Sequence, residues 1–171
     1  MIETDWGKVV NFKKSEFRHP EMLKPESVFM LDRQRTILGH PIFVTSDGRP
    51  PAENRLAGGV ADSLHPEGEA FDSKCLKVTP LDYFLKACHL PWTEIGLYEI
   101  GILHLGFSLN PERRIKRFYG FQCPSCLDFA PARCSYCKGL GKIYRPISEE
   151  IIRWHLSDRL IAEKKRILGI P

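Results

Sequence analysis

Residues 63 to 72 read Ser63-Leu64-His65-Pro66-Glu67-Gly68-Glu69-Ala70-Phe71-Asp72, and no other segment constrains the fold as much. Gly68 permits a tight turn just after His65. The residues beyond it alternate as a strand, on which positions 70 and 72 share one face. His65 and Asp72 are thereby gathered around one turn. Catalytic zinc commonly takes three protein ligands from imidazole and carboxylate and keeps a fourth position open, so this pair supplies two thirds of a site. Small Ala70 leaves room beside the metal. The third ligand has to come from a neighbouring strand, and His104 fits: in the run Ile102 to Phe107, Leu103, Leu105 and Phe107 take one face and His104 takes the other.

The surrounding pattern supplies that neighbour. Pro25-Glu26 opens an apolar-periodic helix that stops at Gly39, and Pro41 to Ser46 reads as a strand. About twenty turn-rich residues follow, a length that points to a functional loop. Gly68 to Leu76 is the next strand, Thr79-Pro80 caps a helix over Leu81 to Cys88, and Ile95 to Tyr98 pairs with Ile102 to Phe107 as a hairpin across Glu99-Ile100-Gly101. This order gives an α+β class, with an antiparallel sheet and flanking helices. At 171 residues the chain holds one ordinary domain and a small appendage.

The appendage is announced by Cys123-x-x-Cys126 and Cys134-x-x-Cys137, two knuckles whose four thiolates suit one tetrahedral zinc. Four protein ligands leave no open position, so this zinc is structural and resembles a small zinc ribbon. Cys75 and Cys88 remain as buried or unreactive thiols. Ser148, Glu149 and Glu150 then start an amphipathic C-terminal helix with a solvated basic face. The expected units are residues 1–118, the domain that carries His65, Asp72 and His104, 119–145, the cysteine module, and 146–171, the helix. Two zinc ions per chain are expected.

Lysine and arginine (25) exceed aspartate and glutamate (21) by only 4, which does not nominate nucleic acid as a partner. No apolar run approaches the roughly 18 residues of a membrane span. The N-terminus lacks a basic-then-apolar leader, which points to synthesis in the cytoplasm. Oligomeric state is left open.

From about Phe17 to Phe107 the chain resembles the zinc peptidases of the D-Ala-D-Ala carboxypeptidase type, peptidase family M15, which share their fold and metal site with the hedgehog signalling domain. The resemblance rests on Thr45, Ser46 and Arg49; on Asn54, Gly58 and Gly59; on Ser63, His65, Gly68, Ala70 and Asp72; and on His104. It implies zinc held by His65, Asp72 and His104. It also implies Arg49 on the carboxylate of a peptide substrate, with Ser46, Asn54 and Ser63 beside it. The implied activity is hydrolysis of peptidoglycan stem peptides, by a carboxypeptidase or a murein endopeptidase, in a phage, prophage or virion-associated setting.

Two departures stand out. Many members of the family carry a glutamate three residues before the last histidine, as general base, or an aspartate two residues after it, and here those places are Gly101 and Gly106. A Tyr-Glu pair also precedes the last zinc histidine in hedgehog-like domains, which makes Glu99, beside Tyr98, the candidate general base, ahead of Glu67 and Glu69. The rival expectation is a catalytically silent zinc module that uses the same fold for protein or nucleic-acid contacts.

Overall fold

The computed structural model describes residues 3–98, 100–122 and 142–147. Helix α1 (Pro25–Leu38) begins with proline at its first position and ends at Gly39, whose φ of 71° is left-handed and whose N–H bonds the Arg35 carbonyl. Strand β1 (Phe43–Ser46) follows. A helix the sequence did not announce, α2 (Pro51–Leu56), interrupts the long loop; with proline at its start and only six residues, it has too few positions to show a period. Strand β2 (Ala70–Lys74) leads to α3 (Pro80–Ala87), capped by the Thr79 hydroxyl accepting from the Asp82 N–H. Strands β3 (Glu94–Tyr98) and β4 (Leu103–Gly106) form the expected hairpin, and β5 (Lys116–Gln122) and β6 (Lys142–Pro146) complete the described sheet.

The strand order is β1-β2-β4-β3-β5-β6. All neighbours are antiparallel except β3 and β5, so the sheet is mixed rather than wholly antiparallel. The chain runs along β3, back along β4, and forward again into β5 on the far side of β3, which makes that pair parallel. The Lys116 N–H donating to the Thr93 carbonyl (2.8 Å) sets its first rung. No strand was expected at 116–122, because its polar and aromatic residues sit where the composition changes. The expected divisions at 118/119 and 145/146 fall within β5 and β6, and the residues between those strands lie outside the described ones.

Register assigns the faces. Phe71, Leu105 and Ile95 form one row, with Leu103 and Leu97 beside it, and this face packs on Val28, Leu31, Phe84, Ala87 and Trp92. Buried Trp92 donates its indole N–H to Gln34 Oε1 (3.0 Å), so neither polar group is left unpaired at that contact. Asp32 accepts from the Val10 and Asn11 N–H groups and ties the N-terminal segment to α1. The opposite face carries Ser46, Asp72, His104, Gly96 and Phe118 in one register row, and Ala70, Gly106, Glu94 and Lys116 in the next. Cys75 is buried and Cys88 lies at the surface. Among the described residues, no helix is long and apolar enough to cross a membrane.

Candidate metal centre

His65 opens a single 3-10 turn, His65–Glu67, closed by Gly68 at φ 71° with its N–H on the His65 carbonyl (3.1 Å). A Cβ at position 68 would lie 1.8 Å from the Met22 carbonyl oxygen, so backbone rather than a pliable side chain blocks it. Gly68→Ala therefore combines about 1–2 kcal/mol for the left-handed conformation with about 1–3 kcal/mol of overpacking. We expect thermal denaturation to show a loss of that order, together with weaker metal retention, because the turn carries His65.

His65 Nε2 lies 3.3 Å and His104 Nδ1 3.1 Å from the same oxygen, Asp72 Oδ1, and the two rings are 5.1 Å apart. All three donor atoms lie within 4.8 Å of one another. The outer ring nitrogens are anchored as well. His65 Nδ1 is 2.7 Å from the Asp47 carbonyl oxygen, and the Asp47 carboxylate is itself fixed by the Arg18 and His19 N–H groups. His104 Nε2 is 3.3 Å from Glu94 Oε2.

Burial holds the His65 imidazole below its usual pKa despite the Asp72 charge, so it is neutral at pH 7. With its Nδ1–H given to the Asp47 carbonyl, its Nε2 presents a lone pair to a carboxylate oxygen, and this buried atom makes no hydrogen bond. Two lone pairs facing each other at 3.3 Å call for a cation between them. Two imidazoles and a carboxylate are also the donor set that zinc accepts, so the residues present fit the metal.

Burial alone would lower the His104 pKa, but hydrogen bonds to Asp72 and Glu94 outweigh it and raise it to about 9. Burial likewise opposes ionisation of Asp72, yet the hydrogen bond and charge of protonated His104 hold its pKa below the usual carboxylate range. Metal-free protein at pH 7 therefore carries a proton on His104 that a metal must displace. Zinc binding should release about one proton, with apparent affinity rising toward pH 9. Calorimetry in buffers of different ionisation enthalpy measures this, and zero release would contradict it.

A cavity of about 580 Å³ opens over the cluster, lined by Arg49, Ser63, His65, His104, Tyr98 and Phe118 among others. Arg49 sits at its edge with Nη2 3.4 Å from Asp72 Oδ2, and its own Nε is buried without a hydrogen-bond partner. Ser63 lines the cavity but is held by the Asn54 side chain (3.3 Å) and accepts from the His65 N–H. Asn54 is buried on α2, where its amide N–H also reaches the Val60 carbonyl, so it shapes the loop from behind. Ser46 stands opposite Asp72 on β1, outside the cavity lining.

Among the candidate bases, Glu67 pairs with Arg113 and buried Glu69 with Lys24, and neither lines the cavity. Glu99 lies outside the described residues, as do Cys123, Cys126, Cys134, Cys137 and the C-terminal helix.

Glu94, Lys116, Phe118 and Asp47 also build the site, and sequence reasoning did not single them out. Phe118 packs over Gly96, where a Cβ would come within 2.3 Å of its ring, and lies 5.7 Å from the His104 ring. The available signal was Glu94 two residues before Gly96: a charged residue and a glycine on one face of a strand whose other face is apolar.

Residues 6–102, over half of the chain, match the model of the family described as Peptidase M15. No curated protein matches the chain. His104 and the wall formed by β5 lie beyond the matched span.

Proposed function

We propose that this chain, which belongs to the peptidase M15 family, is a zinc metallopeptidase that cleaves peptidoglycan stem peptides, either at a D-Ala-D-Ala terminus or internally. Family membership supports a metallopeptidase in general. The observation that carries the finer reading is the cluster of His65, Asp72 and His104, whose two histidines line the cavity, with Arg49 beside them. Bound there, zinc supplies Lewis-acid polarisation of a carbonyl and lowers the pKa of water to about 7.

The chain's own groups do the rest. Arg49 offers a guanidinium with an unpartnered Nε, suited to clamp a peptide carboxylate in two places. Val60, Tyr98, Ile115, Phe118 and Ile147 give the cavity an apolar wall against which a peptide can pack. Glu99 is the proposed general base, supported by its place directly after cavity-lining Tyr98. Ser46, Asn54 and Ser63 support the substrate side, the last two by fixing the loop that presents His65. A second zinc, held by Cys123, Cys126, Cys134 and Cys137, is proposed to be structural.

Digestion of muropeptides with a free or an amidated terminal carboxylate, read by mass, tests this reading. A carboxypeptidase loses activity on amidation and an internal endopeptidase keeps it. Arg49→Ala should remove a charged contact of about 1.5–3 kcal/mol, seen as a roughly 10–100-fold rise in KM with kcat little changed. Unchanged KM would take Arg49 out of substrate binding. Gly101 and Gly106, where the resemblance expects acids, favour the silent zinc module as the second reading. Failure of every stem peptide would select it.

A further inference from the structure

We propose that Glu94 is a positioning residue of the metal centre: it accepts a hydrogen bond from His104 Nε2–H and so turns the Nδ1 lone pair toward the metal. This rests on the reading of His65, Asp72 and His104 as a zinc site. The geometry is specific. Glu94 Oε2 is 3.3 Å from Nε2, whereas Nδ1 faces Asp72 Oδ1 at 3.1 Å, so the two sides of one imidazole meet two different carboxylates. Only Nδ1 faces the atoms that His65 and Asp72 contribute. His65 shows the same arrangement, with its outer nitrogen on the Asp47 carbonyl and its inner nitrogen on Asp72. Both imidazoles are thus oriented by an outer acceptor.

The sheet is built to admit this carboxylate. Glu94 stands opposite Gly106 in the β3–β4 register. A Cβ on residue 106 would lie 2.7 Å from Leu64 Cδ1, 3.3 Å from the Glu94 Cβ and 3.5 Å from His104 Nε2, so the glycine leaves space that Leu64 and Glu94 share. A buried carboxylate is costly unless paired. Lys116, next in the row, places Nζ 3.1 Å from Glu94 Oε1, and no other use of Glu94 is evident in the described contacts. Outer-sphere carboxylates of this kind fix the tautomer and raise the basicity of the ligand, and losing one typically weakens metal binding about 10–100-fold.

The test uses cobalt(II) as the probe, since a histidine and carboxylate site gives visible bands without the sulfur charge-transfer of a thiolate site. Glu94→Gln should raise the cobalt dissociation constant of the histidine site about 10–100-fold, with circular dichroism showing that the metal-free variant is still folded. In the zinc-loaded parent, 15N spectra of labelled histidine should show His104 with Nδ1 bound to metal and Nε2 protonated. That spectrum needs no variant, so it decides the matter even if Glu94→Gln fails to fold. Unchanged cobalt affinity in folded Glu94→Gln, or Nε2 ligation in the parent, would overturn the proposal and leave the zinc site standing. A parent whose cobalt spectrum is unaffected by His65→Ala would overturn the zinc reading itself.

Discussion

Asp72→Ala should empty the histidine site and reduce peptide hydrolysis to background while the protein remains folded. Asp72 is the one anionic donor in the group, and its Oδ1 is the atom both histidines face. Removing a direct ligand should weaken zinc binding by more than the roughly 10–100-fold typical of an outer-sphere change. It also leaves the Arg49 guanidinium, 3.4 Å from Asp72 Oδ2 at present, opposite two imidazoles with no intervening negative charge. The fold should survive because the core lies on the other face of the sheet, on Phe71, Leu105 and Ile95. In the metal-free protein the depressed Asp72 pKa adds stability above about pH 4, which fades as pH falls through the folded value. Asp72→Ala should therefore lose stability near neutrality and become less sensitive to acid. Metal content after dialysis and melting curves at pH 3 and pH 7 would read both effects; full zinc occupancy in the variant would remove Asp72 from the ligand set.

Glu99→Gln should leave zinc bound and KM little changed while turnover falls about 10²–10⁴-fold, or about 3–5 kcal/mol at the barrier. The size follows from losing proton transfer from the attacking water with positioning and electrostatics intact. Among the alternatives, Glu67 is paired with Arg113 and Glu69 with Lys24. Undiminished turnover in Glu99→Gln would remove Glu99 from the mechanism, and Glu67 or Glu69 would then have to leave those ion pairs to serve as the base.

The grouping of His65, Asp72 and His104 was legible in the sequence because it depends on local periodicity. A glycine turn after His65 and the alternation on two strands place three side chains on one face, and the observed pairing of Asp72 with His104 is what that alternation requires. Helix α1, helix α3 and the hairpin announced themselves through proline starts, the Thr79 cap and a turn at Gly101. Glu94 was hidden because the expected strand began one residue later, at Ile95, which left out the register position that sets Glu94 opposite Gly106 and within reach of His104. Strand β5 was hidden because its parallel pairing joins residues more than twenty positions apart and carries no short-range turn signal. Asn54 and Ser63 were read as facing a substrate; they bond to one another, and that contact becomes visible only once α2 folds the loop back.

On the proposed reading, zinc held by His65, Asp72 and His104 would activate water to hydrolyse peptide bonds of the cell-wall stem. Incubating the zinc-loaded protein with purified muropeptides, with and without a chelator, and weighing the products is the most direct measurement. The expected result is loss of a terminal residue or scission of a stem peptide, abolished by the chelator and restored by zinc. Intact muropeptides in the presence of protein shown to carry zinc at the histidine site would contradict it.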